Sequence, residues 1–138
     1  MTLYLRLPWP PSVNHYWRHV GPRVLVSREG RAYRRACHLA MCLQLQRTPD
    51  KFSGQVSLTI YVAPPDRRRR DLDNILKALL DALQAIGVYG DDSQVTELYM
   101  RRCKPIAQGQ VRVEVAQMAE RADMGEEQSA ADHNEQGG

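Results

Sequence analysis

Asp71-Leu72-Asp73-Asn74-Ile75-Leu76-Lys77-Ala78-Leu79-Leu80-Asp81-Ala82-Leu83-Gln84-Ala85-Ile86-Gly87 is the stretch on which the fold turns. Leu72, Ile75, Leu76, Leu79, Leu80, Leu83 and Ile86 recur at i, i+3, i+4 and i+7, so they line one face of a helix. Gly87 falls where a helix carboxyl terminus favours glycine. Upstream, Val56, Leu58, Ile60 and Val62 alternate with other residues and mark a strand, which Pro64-Pro65 closes. Downstream, Gly90-Asp91-Asp92-Ser93 reads as a turn, followed by strands at about Val95 to Arg102 and Val111 to Val115.

Nearer the amino terminus, Leu3, Leu5 and Leu7 alternate in a short half-buried strand that the Pro8-Trp9-Pro10-Pro11 cluster ends. Ser12 to Arg23 reads as loop, and Val24-Leu25-Val26 as a brief strand. Ser27 is a suitable N-cap for a helix to about Gln46, with an expected inner face of Ala32, Tyr33, Ala36, Leu39, Ala40 and Leu43. The order of elements predicts one small α/β (α+β) domain, a mixed sheet with two main helices packed on it. The domain is expected over residues 1–118, and the polar, acidic stretch 119–138 is expected to be a disordered tail that aids solubility.

With 138 residues, the chain suits a single core. No run of about eighteen apolar residues exists for a membrane span, and no secretory signal pattern is present, so a cytoplasmic setting is expected. Cys37, Cys42 and Cys103 lack C-x-x-C spacing, and the four histidines are scattered, which argues against a disulfide framework or a zinc site. Charge is uneven. Residues 1–118 carry 18 Lys+Arg against 10 Asp+Glu, whereas 119–138 carry 1 against 6. Most of the cations are Arg, whose planar donor fork matches phosphate, so the expected partner is nucleic acid rather than a membrane surface.

Just ahead of the helix stand Arg67-Arg68-Arg69-Arg70. Four adjacent guanidinium groups repel one another unless a polyanion screens them, and they oppose a helix amino terminus. Carboxylates beside them weaken their attraction for phosphate. That conflict is relieved if Asp71 and Asp73 hold a divalent cation. Lys77, at i+4 from Asp73, would face the same mouth. The plainer alternatives are helix capping for the two acids, a surface ion pair with Asp73 or Asp81 for Lys77, and ordinary turn geometry for Asp91-Asp92. If Asp91-Asp92 meet Asp71 and Asp73, the oxygen ligands suit Mg²⁺ or Mn²⁺. Such a meeting requires the strand at Val95 to pair near the amino terminus of the helix.

Several blocks recur in order: Pro8-Trp9-Pro10-Pro11-Ser12-Val13-Asn14 with Tyr16 and Arg18; Ser27, Gly30, Tyr33 and Arg34; Pro65-Asp66 and Arg67 to Asn74 with Lys77; and Asp91-Asp92-Ser93-Gln94-Val95. From about Leu3 to about Met118 the chain resembles the RusA family of Holliday-junction resolvases. The resemblance implies a homodimeric, Mg²⁺-dependent endonuclease, often prophage-encoded, that binds four-way DNA junctions and nicks two strands symmetrically in recombination and repair. It implies Asp71, Asp73 and Asp92 as metal-binding catalytic acids, Lys77 as the catalytic lysine, and Arg67, Arg68, Arg69 and Arg70 on the DNA face. It also favours Asp92 over Asp91. The acidic tail departs from the family pattern. Two other readings share the residues: a non-catalytic architectural protein that grips branched DNA, and a nuclease for flaps or single strands.

Overall fold

The computed structural model describes residues 1–119 and 123–125, so the expected acidic tail lies almost wholly outside the described residues. The elements run β1 (Thr2–Leu7), α1 (Val13–Tyr16), β2 (Trp17–Val20), β3 (Arg23–Val26), α2 (Arg28–Leu45), β4 (Val56–Ala63), α3 (Leu72–Ala85), a 3-10 turn at Asp92–Gln94, β5 (Val95–Arg102) and β6 (Gln110–Gln117). The main sheet has the order β1-β6-β4-β5. β6 pairs antiparallel with both β1 and β4, whereas β4 and β5 are parallel. A parallel pair needs a crossover, and α3 supplies it. This is the expected α+β domain with a mixed sheet.

Alternation places Leu3, Leu5 and Leu7 of β1, Leu58, Ile60 and Val62 of β4, and Val111, Val113 and Val115 of β6 in the core. Burying each such side chain contributes about 1.5 to 3 kcal/mol. Ile75, Ala78, Leu79, Ala82 and Leu83 of α3 complete the layer, as its periodicity requires. At β5 the layer is incomplete. Leu98 and Met100 stand opposite Leu58 and Ile60, yet Leu98 remains 45% exposed.

Two expectations are corrected. α2 starts where Ser27 caps it, the Ser27 hydroxyl accepting from the Gly30 N–H at 3.0 Å, but its buried residues are Gly30, Tyr33, Cys37 and Met41. Ala32 and Ala36 are exposed, as are Leu39 and Leu43, at 59% and 69%. Gly30 sets the rotation, because a Cβ there would stand 2.4 Å from the Tyr16 carbonyl oxygen. Only a bare backbone permits α1 to lie so close, and that contact turns the Gly30 face inward. The second correction concerns Ser12 to Arg23, which is not loop throughout. It holds α1 and half of a hairpin, β2 with β3, turned at Gly21 with φ +58°.

Candidate active site

The arginine loop follows the carboxyl-terminal end of β4, the end of a parallel strand where α/β folds place their ligands. Its four cations are not equivalent. Arg70 is anchored: its Nη1 donates to Asp66 Oδ1 at 2.7 Å, and its guanidinium lies 5.6 Å from the Trp9 ring centroid. Arg68 donates its backbone N–H to Asp66 Oδ1 at 2.9 Å and holds only a loose 3.7 Å ion pair with Asp66 Oδ2. Arg67 and Arg69 are exposed and form no ion pair among the described residues. Asp66 is thereby the organiser of the loop. The Arg70 hydrogen bond, followed by the Arg68 N–H, holds its carboxyl below the usual carboxylate range.

Asp71 occupies the N-cap position of α3 with extended backbone, φ −85° and ψ 135°, yet its carboxylate makes no capping hydrogen bond. Asp73, in the first turn, is exposed and forms no ion pair among the described residues. Neither acid is consumed by the plainer role open to it. Lys77 is similarly uncommitted. Its ammonium lies 5.2 Å from the Trp17 ring centroid and pairs with no carboxylate among the described residues. Asp81, its natural partner at i+4, is taken by Arg34, whose Nη2 donates to Oδ2 at 2.7 Å, and by the Tyr16 hydroxyl, which also donates to it. Burial, then that bond to Asp81, pushes the Tyr16 phenol well above its ordinary value.

Asp91 and Asp92 differ in their surroundings. Asp91 caps the 3-10 turn, accepting from the Ser93 N–H at 2.9 Å, while the Gln94 side chain accepts from the Asp91 N–H at 3.0 Å. Asp92 is exposed, and its backbone N–H donates to Gln84 Oε1 at 3.0 Å. That contact fixes its place at the carboxyl-terminal end of α3. Gln84 is eleven residues from Asp73, about 16 Å along the helix axis. The strand at Val95 pairs opposite Val56, where β4 begins, not near the amino terminus of α3. One chain therefore brings Asp71 and Asp73 together and leaves Asp92 at the far end of the helix. Among the described residues no three His, Cys, Asp or Glu side chains gather closely enough to hold a metal ion.

Further basic and aromatic residues border the site. Arg102 of β5 donates to the Arg70 carbonyl, and it shares with Lys104 and Arg67–Arg70 a cleft of about 370 Å³. The cluster Arg101-Arg102-Cys103-Lys104 was the available signal for a wider basic face. Trp17, beneath Lys77, packs on Tyr16 with ring centroids 4.3 Å apart.

The family model described as endodeoxyribonuclease RusA matches residues 8–117, which spans the arginine loop and all four candidate site residues on α3 and the following turn. This chain belongs to the RusA family. Among its relatives are the crossover junction endodeoxyribonucleases RusA of Enterobacteria phage 82, at 37% identity, and of Escherichia coli K12, at 38%. Each alignment covers 85% of this chain and 96% of the relative. The corresponding protein of Enterobacteria phage HK97 is 34% identical over 81% of this chain and 92% of its own length. This RusA-family chain is an endodeoxyribonuclease by that membership, and among its described residues no helix is long and apolar enough to cross a membrane.

Proposed function

We propose that this endonuclease resolves four-way DNA junctions in recombination and repair as a homodimer, by symmetric paired nicks that depend on Mg²⁺, with Mn²⁺ as a substitute. The observation that carries the reading is the pair of free carboxylates, Asp71 and Asp73, set directly against exposed arginines. Hard oxygen donors of this kind suit Mg²⁺. When bound, a divalent ion supplies Lewis acidity and positive charge at a scissile phosphate. Arg67 and Arg69 draw the backbone in, and Arg70 shapes the loop that presents them. Lys77, held over Trp17 and free of Asp81, donates to a phosphate oxygen as negative charge builds there.

Asp92 joins this site from the second subunit. A two-fold axis across the middle of α3 exchanges its ends, so Asp71 and Asp73 of one chain meet Asp92 of the partner subunit at each of two equivalent centres. The uncovered Leu98 on the core-facing side of β5, the strand that Asp92 precedes, supports burial against a second copy. Two centres related by symmetry account for paired nicks on a junction that is itself nearly two-fold.

Incubating the protein with an end-labelled four-way junction and Mg²⁺ tests the reading. Paired nicks at symmetric positions are expected, abolished by chelation and by Asp73→Asn. Binding without nicks under every divalent ion would favour an architectural protein. Equal nicking of flaps and junctions at one salt concentration would favour a broader nuclease.

A further inference from the structure

The core-facing side chains of β1, β4 and β6 share one cluster with Tyr33, Met41, Leu79 and Leu83, so α2 and α3 cover a single face of the main sheet. The opposite face is bare. Tyr4 is 64% and Tyr99 53% exposed there. Register sorts its charges. Arg6 stands opposite Arg112, Arg112 opposite Tyr61, and Tyr61 opposite Arg101, in one row across all the strands of the sheet. The next row is Tyr4, Glu114, Thr59 and Tyr99, and the one beyond it is Thr2, Ala116, Ser57 and Glu97. The arginines of this face thus gather at the end of the sheet from which the arginine loop springs, and its acids lie away from that end. We infer that the row is a second DNA-contact surface, which grips the phosphate backbone of a duplex arm leaving the candidate active site. The inference rests on the junction-endonuclease reading above and adds to it a surface outside the cutting centre.

Side-chain contacts place the row on one face. The Arg112 guanidinium lies 5.2 Å from the Tyr61 ring centroid, and the Tyr61 and Tyr99 rings meet edge to face with centroids 6.2 Å apart. Tyr4, Arg6, Arg112 and Glu114 line one cleft of about 220 Å³. Arg6, Arg101 and Arg112 are all exposed, and none forms an ion pair among the described residues. Tyr61 steadies Arg112 through its ring face, which leaves the guanidinium N–H groups directed to an anion. Gln44 of α2 fixes the outer end of the row. Its side chain accepts from the Arg6 N–H at 2.7 Å and donates to the Arg6 carbonyl at 2.6 Å.

Dimensions and charge both suit a duplex. Neighbouring strands lie about 4.8 Å apart, so the row spans about 14 Å, the rise of about four base pairs. Glu114 and Glu97, set back from the row, repel a backbone displaced toward the other end of the sheet and so define its line. Because Arg112 covers the Tyr61 ring, the row offers donors to phosphate rather than a platform for an unpaired base. At β5 it adjoins the candidate site: Arg101 faces outward, while the next residue, Arg102, donates to the Arg70 carbonyl. Backbone drawn in by Arg67 and Arg69 therefore has a path around the end of β5 onto Arg101. The two-fold axis proposed across α3 belongs to the covered face and leaves this one open.

Binding to a labelled four-way junction in Ca²⁺, read against salt, tests the row. Arg6→Gln with Arg101→Gln and Arg112→Gln should flatten the slope of log Kobs against log salt by about 2.7 and weaken binding at least about tenfold at ~0.1 M salt. Arg28→Gln with Arg35→Gln and Arg47→Gln removes the same charge from exposed positions on α2 and just beyond it, and should change the slope by less than about one contact's worth. Junctions whose arms are shortened stepwise give a second reading. Wild type should lose affinity at the step where an arm no longer reaches the face, and the row variant should show no such step. Its affinity for the shortest junction, equal to that of wild type, reports that it folds. An unchanged or steeper slope in the row variant overturns the inference, as does tighter binding, which would mean that the row holds some other acidic group. So does an equal loss in the α2 variant, or a step that the row variant retains. Nicking by wild type in Mg²⁺ is scored apart: its absence overturns the endonuclease reading and leaves the binding measurements to decide the row.

Discussion

Arg34 and Asp81 meet at 2.7 Å between α2 and α3, one helical turn beyond Lys77. The pair withholds from Lys77 one of the two carboxylates that lie a turn away from it along the helix, and the Tyr16 hydroxyl occupies the same oxygen. Replacing Arg34 with Ala frees Asp81 to pair with Lys77. Nicking is expected to fall about tenfold, equivalent to about 1.4 kcal/mol of transition-state stabilisation. Restoration of most of that loss by Arg34→Ala with Asp81→Ala would distinguish withholding from simple loss of packing. Urea denaturation should place the stability cost of Arg34→Ala at about 1 to 2 kcal/mol. A double variant no faster than the single one would show that Arg34 acts otherwise.

Division of the acids between subunits is tested by mixing two inactive proteins. Asp73→Asn and Asp92→Asn should each fail to nick alone. After denaturation and refolding together, each mixed dimer holds one centre with both acids intact, so about a quarter of wild-type nicking should return. The recovered product should carry single nicks. If each chain held its own complete site, every centre in the mixture would lack an acid and no activity would return.

The inequality of the four arginines predicts different signatures for their removal. Arg67→Ala with Arg69→Ala should flatten the slope of log Kobs against log salt by about 1.8, because two phosphate contacts are lost. Arg70→Ala should disturb the loop as well, since Arg70 joins Asp66 to Trp9. An unchanged slope in the double variant would remove the exposed pair from the DNA interface.

Acid should loosen the same loop late. The Arg70 hydrogen bond depresses the Asp66 carboxyl in the folded state. A depressed folded value means that its contribution is complete above the ordinary carboxylate pKa of about 3.9 and is lost as pH falls through the lower folded value. The Arg68 amide resonance, hydrogen-bonded to Asp66, should therefore titrate with a midpoint below that ordinary value. A midpoint at or above it would contradict the assigned contact.

Some of this was legible in the sequence, and the failures have physical causes. The α3 stripe was readable because its apolar residues all serve one core. α2 carries apolar residues on two faces, and the core takes Gly30 and Cys37 while leaving Leu39 and Leu43 outside. Periodicity favours the bulkier set, and only the close approach of Tyr16 decides otherwise. The hairpin of β2 and β3 went partly unseen because its exposed strands lack an inward-facing row. At the site, the arginine loop, Asp71, Asp73 and Lys77 are local in sequence and share one end of the fold. Where Asp92 lies depends on the direction of β5. Parallel pairing with β4 sends its start to the opposite end of the sheet, which no local pattern encodes.

That crossover gives α3 a second use as a ruler. In a dimer whose two-fold axis exchanges the ends of the helix, its length of about 21 Å sets the gap between the two cutting centres. The distance between incisions would then be written in the number of helical turns. One added turn would spread them by about 5 Å without altering a single residue that touches DNA.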